Sequence, residues 1–165
     1  MSSAVRWPDV RARDIMRTDV VTVPDSATLT EAVQRLAEAR ISGMPVTDEA
    51  GHVIGVVSIR DVLDFLSENP DQRRVFAPRS YYLASTDEDL PPEEFDEIEV
   101  PEDTEATVAE VMTAEVFSVP VDAGLEAVAK ALVEHQVHRV LVTDKRRHVG
   151  LVSVMDVLAA LVSKD

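Results

Sequence analysis

Cysteine is absent from the 165-residue chain, which excludes disulfides, thiolate nucleophiles and cysteine-ligated zinc. Aromatic residues make up only 4%, so any core has to be built mainly from Val, Leu, Ile and Ala. No apolar run approaches the roughly 18 residues that a membrane helix needs. The opening MSSAVRWPDVRARD lacks the apolar stretch of a secretory signal. No membrane partner is therefore expected, and a reducing cytoplasmic setting is. Basic residues are outnumbered, with 16 Lys and Arg against 31 Asp and Glu for a net charge of -15. That balance disfavours duplex nucleic acid and anionic surfaces as partners. A glycine-rich phosphate loop, a nucleophile elbow and a metal-ligand cluster are also lacking, so no catalytic residue and no metal site are assigned, and an enzyme is not expected. His52 and His148 both fall just before the last strand of a copy, and both read as turn residues.

What is present is a repeat. Residues 14–66 align with 110–161 with a single one-residue gap, and 20 of 53 positions are identical. Met16 matches Met112, Pro24 matches Pro120, and VTD at 46–48 recurs at 142–144. Gly55, Ser58, Asp61, Val62 and Leu63 recur as Gly150, Ser153, Asp156, Val157 and Leu158. Each copy has the same local grammar. VVTVP and VFSVP read as short strands closed by Pro. Thr28 precedes Glu31 by three residues, a capping-box pattern. Leu29, Ala32, Val33, Leu36 and Ala37 then follow at helical spacing, as do Leu125, Val128, Ala129, Leu132 and Val133. MPVTD with HVIGVVSI, and VLVTD with HVGLVSV, read as hairpins, and DVLDFL or DVLAAL as a closing helix. The order is strand, helix, strand, strand, helix, an α+β unit. A unit of this size has an apolar sheet face it cannot cover alone. Two such units are expected to bury these faces together about a pseudo-two-fold axis.

The repeats resemble the CBS domain family, named after cystathionine β-synthase. The resemblance rests on DIM with EVM, on VPDSATLTEAVQRLAEARISGMPVTD, on the glycine before the last strand, and on SIRD with SVMD. It implies two CBS repeats, 10–66 and 107–162, forming a stand-alone Bateman module with ligand clefts between the sheets. It also implies a regulatory sensor, as in energy sensing, for an adenosine-containing ligand such as AMP, ADP, ATP or S-adenosylmethionine. No cofactor is required.

The junction Ser-x-x-Asp, Ser58 to Asp61 and Ser153 to Asp156, has two readings. One is helix capping. The other is ligand binding: a helix start attracts anions, and the resemblance brings the Ser hydroxyl to a phosphate and the Asp carboxylate to ribose hydroxyls. The copies differ. Arg60 lies inside the first junction, where the second has Met155. The second adds His138 and Arg139, where the first has Ser42 and Gly43. The resemblance puts Gly43, Met44 and Pro45, and likewise His138, Arg139 and Val140, along cleft walls. A solvated surface charge is the other reading of Arg60 and Arg139. Thr22 and Ser118 match positions near the purine in family members.

The connector, 67–106, exceeds the usual loop length. Its first half sets Arg73, Arg74 and Arg79 near Phe76, Tyr81 and Tyr82, aromatics that suggest docking on the module. From 85 to 105 it carries 11 acids and no Lys or Arg, a composition of loosely attached chain. A homodimer packed through the closing helices is expected, with an effector protein reading the ligand's effect. The competing class is a ligand-free scaffold or protein-interaction module that works through the acidic strip.

Overall fold

The structure, a computed structural model, describes residues 7–66, 80–83 and 98–163. Its elements in order are α1 (Ala12–Ile15), β1 (Val23–Pro24), α2 (Leu29–Ala39), β2 (Gly43–Thr47), β3 (Val53–Ser58), α3 (Ile59–Leu66) and α4 (Ser80–Leu83). There follow α5 (Val108–Val111), β4 (Ser118–Pro120), α6 (Leu125–His135), β5 (Arg139–Asp144), β6 (Arg147–Ser153) and α7 (Val154–Val162). Each repeat has the expected strand, helix, strand, strand, helix order, and the fold is α+β. The short helices α1 and α5 open the repeats; the sequence pattern did not announce them.

The chain divides into two compact units, Val20–Val116 and Met1–Asp19 with Phe117–Asp165. In the unit Val20–Val116 the sheet order is β1-β2-β3, with β1 parallel to β2 and β2 antiparallel to β3. Thr28 caps α2 as its spacing predicts: Glu31 N–H donates to Thr28 Oγ1 at 3.2 Å and Thr28 N–H to Glu31 Oε2 at 2.9 Å. Leu29, Ala32, Val33 and Leu36 form the buried stripe of α2. Ala32, Val33 and Leu36 pack with Val23, Met44, Val46, Val57 and Ile59 in one core. Burying side chains of this size contributes roughly 1.5–3 kcal/mol each, so this cluster dominates the unit's stability. The end of the acidic stretch is not loosely attached: Ile98 and Val100 pack against that core. Residues 84–97, with most of the acids, and Arg73, Arg74, Phe76 and Arg79 lie outside the described residues.

The other unit repeats the plan, with order β4-β5-β6. Leu125, Val128 and Leu132 are the buried residues of α6. Val133, expected in this stripe, is exposed; at about 100° per residue it lies about 140° around the helix from Val128. The one-residue gap between the copies is a difference of hairpin turns. In the first, Asp48 Oδ1 accepts the Ala50 and His52 N–H groups, both at 2.9 Å, and Gly51 has φ 82°. In the second, Lys145 and Arg146 take φ of 51° and 70°, the two positive values of a tight two-residue hairpin turn.

Each last strand receives a leading segment. Arg17 exchanges both backbone hydrogen bonds with Leu151 at 2.9 and 3.0 Å, and Thr113 does so with Val56 at 2.8 and 2.9 Å. The neighbouring glycines explain themselves here. A methyl group on Gly150 would come within 2.6 Å of Met16 Sδ and 2.8 Å of the Arg17 carbonyl oxygen. On Gly55 it would come within 2.6 Å of the Thr113 carbonyl oxygen. Only a residue without Cβ lets the segment lie this close.

Candidate functional site

Strands β3 and β6 run straight into α3 and α7, so Ser58 and Ser153 stand where a sheet edge becomes a helix start. Asp61 turns back: its Oδ2 accepts the Ser58 N–H at 2.7 Å and the Ser58 hydroxyl at 2.9 Å. Asp61 N–H in turn donates to Ser58 Oγ at 3.2 Å. The second junction repeats this, with Asp156 Oδ2 taking the Ser153 N–H at 2.8 Å and its hydroxyl at 3.0 Å, and Asp156 N–H donating to Ser153 Oγ at 3.2 Å. Both junctions are therefore capping boxes. The cap consumes one carboxylate oxygen, and a carboxylate has acceptor capacity at both. Capping and ligand binding by the same Asp are thus compatible.

The helix-start amides are less open than the sequence suggested. Ile59 N–H donates to the Ser42 carbonyl at 2.8 Å and Val154 N–H to the His138 carbonyl at 2.9 Å. With the third amide held by the Ser hydroxyl, two of the three leading N–H groups in each helix are engaged inside the protein. Recognition of an anion here relies on side-chain charge more than on amides.

The surroundings of the two junctions differ. Gly43 is the cross-strand partner of Ser58, and Arg139 that of Ser153. Cross-strand partners project from the same sheet face. Arg139 is 4% exposed, so it is not a solvated surface charge, and it brings positive charge to the face of Ser153. Arg60 and His138 are exposed. Met44 is a core side chain, Val140 is fully buried, and Pro45 is buried beside Met44 in β2. Thr22 is half-buried, and its carbonyl accepts a 2.7 Å hydrogen bond from Arg35 Nη1. Ser118 is exposed on β4. Asp156 lines a depression of about 510 Å³ together with Pro8, Val10, Asp14 and Ala159. Two carboxylates on one apolar depression suit hydroxyl donors rather than phosphate oxygens.

Burial also separates the copies. Ser58 is 3% exposed, whereas Ser153 is half-buried. Burial pushes the Asp61 carboxyl above its ordinary value; the hydrogen bonds from Ser58 pull the other way, and Asp64 adds to the rise. Sequence reasoning treated Tyr81 only as part of a docking segment. The structure sets its ring on Gly43: a methyl group there would lie 2.5 Å from Tyr81 Cδ2 and 3.2 Å from Cε2. The signal was a pair of adjacent Tyr in a chain poor in aromatics, with Gly in one copy where the other has Arg.

The CBS domain model matches residues 12–68 and 108–163. Inosine-5'-monophosphate dehydrogenase of Thermoplasma acidophilum is 34% identical over 50 residues, 30% of this chain, and the chain spans 10% of that enzyme's length. Among the solved structures that share the fold are two with adenosine compounds bound. One is CBSX2 in complex with AMP, with TM-score 0.61 and 22% identity over 93% of this chain and 96% of the other. The other is the CBS domain pair of protein MJ0100 in complex with 5'-methylthioadenosine and S-adenosyl-L-methionine, with TM-score 0.61 and 21% identity over 96% and 100%. No described helix is long and apolar enough to cross a membrane.

Proposed function

The chain belongs to the CBS domain family, and from that premise we propose that it is a regulatory module sensing an adenosine-containing nucleotide at a Ser-x-x-Asp junction. CBS pair proteins are regulatory modules, and the two structural neighbours hold AMP, S-adenosylmethionine and methylthioadenosine. The observation that carries the reading is the cluster at the second junction. The Asp156 carboxylate, steadied through Oδ2 by Ser153, has capacity to accept ribose hydroxyls. Arg139, across the sheet from Ser153, supplies the charge for a phosphate, and a guanidinium fork matches phosphate oxygens. AMP, ADP and ATP fit that pair better than S-adenosylmethionine, which has no phosphate. Sensing follows if the ligand binds two conformations unequally, since it shifts their balance only by that difference.

The same reading includes a homodimer. Met155, Leu158 and Val162 are exposed at 66%, 48% and 79%, and their spacing sets them on one face of α7. A second copy of the chain is the proposed cover for that stripe, and light scattering of the purified chain measures it.

A thermal-shift panel tests the nucleotide reading. At a hundred times its dissociation constant a ligand stabilises the fold by about 2.7 kcal/mol, or roughly 5–10 °C for a chain of this size. AMP, ADP or ATP is expected to give that shift. No shift with any of them at millimolar concentration contradicts the reading.

A further inference from the structure

Two copies of one junction invite two ligands, yet the copies are not equally available. In the unit Val20–Val116, Tyr81 and Tyr82 of α4 are buried, at 3% and 0% exposure. Their rings meet edge to face with centroids 5.3 Å apart. Tyr82 fastens the turn by donating its hydroxyl to the Glu115 carbonyl at 2.8 Å. Tyr81 lies against Gly43 so closely that no Cβ fits between them. Gly43 is paired with Ser58, which opens the first junction. At the matching register of the second copy the sheet carries Arg139, paired with Ser153.

We infer that Tyr81 is a built-in occupant of the first junction, so that the chain accepts nucleotide at its second junction alone. The inference rests on the nucleotide reading above and adds its regulation. A glycine at 43 is what the seat of the ring requires, because any side chain there would displace it. The ring fills the space over Gly43, the strand partner of Ser58. A ligand reaching Ser58 and Asp61 has to displace a packed Tyr pair first. Exposing a side chain of that size is expected to weaken a first-junction site about thirtyfold against an open one. Ser58 is buried where Ser153 is half-buried, which agrees with a covered first junction and an accessible second.

The test is calorimetric titration of AMP into the full chain. Wild type is expected to take one AMP per chain, with affinity unchanged by Asp61→Ala and reduced at least tenfold by Asp156→Ala. Tyr81→Ala is expected to take two, the additional one lost again in Tyr81→Ala with Asp61→Ala, and Tyr81→Phe to remain at one. Two AMP in wild type, or one in Tyr81→Ala, overturns the inference while leaving the nucleotide reading standing. Heat from no variant is the separate failure of that reading and takes this inference with it. If Tyr81→Ala loses its circular dichroism spectrum, wild-type stoichiometry and the Asp61→Ala affinity decide alone. One site with unchanged affinity supports the inference, and two sites or a tenfold loss overturns it.

Discussion

Asp156 holds the amide and the hydroxyl of Ser153 through the single oxygen Oδ2, at 2.8 and 3.0 Å. That bond pattern stabilises α7 whether or not a ligand is present. Ser153→Ala is therefore expected to cost about 1 kcal/mol, the usual worth of an N-cap. Ser58→Ala should cost more, roughly 2 kcal/mol, because it strips a hydrogen bond from a carboxylate already short of water. Urea denaturation of the two variants measures both. Equal losses would contradict the difference in burial between the junctions.

The raised proton affinity of Asp61 has a definite sign in stability. Folding favours its protonated form, so the contribution is fully present below the unfolded value of 3.8 and is lost as pH rises through the folded value. Wild type should gain on Asp61→Asn as pH is lowered from neutrality toward 3.8 and then level off. Denaturation midpoints across that range show it, and a gap moving the opposite way means that the Ser58 hydrogen bonds outweigh burial.

His148 behaves in the reverse sense. Burial lowers its proton affinity, and its Nδ1 is buried with no hydrogen-bond partner among the described residues. Its contribution is present above the unfolded value of 6.5 and fades as pH falls through the lower folded value. His148→Gln should therefore lose less stability than wild type between pH 7 and pH 5. Parallel pH profiles would contradict this.

The repeat, the order of its elements and the Thr28 capping box were all legible in the sequence, since periodicity and short-range spacing carry them. The asymmetry of the junctions was half legible. Arg139 stood out against Gly43, but its burial depends on packing that no local pattern encodes. The pairing of Arg17 with Leu151 was not legible, because it is made by backbone groups common to every residue. Nor was the seat of Tyr81: two tyrosines announce docking but do not name the glycine they dock on. The engagement of the Ile59 and Val154 amides likewise comes from carbonyls of the preceding strand entry, which spacing alone does not place.

Gly55 and Gly150 owe their identity to the same invisible backbone contacts. Gly150→Ala drives a methyl group to within 2.8 Å of the Arg17 carbonyl oxygen and Gly55→Ala to within 2.6 Å of that of Thr113. Each substitution should destabilise by roughly 1–3 kcal/mol, the usual cost of overpacking. Thermal melts that leave either variant at the wild-type midpoint would show that the leading segments yield freely.

The most direct measurement is the affinity of AMP for wild type and for Asp156→Ala, by titration calorimetry on the full chain. Wild type is expected to bind and the variant to lose at least tenfold while keeping its fold by circular dichroism. Equal affinity in the two proteins, or no binding to wild type, contradicts a nucleotide site built on the second junction.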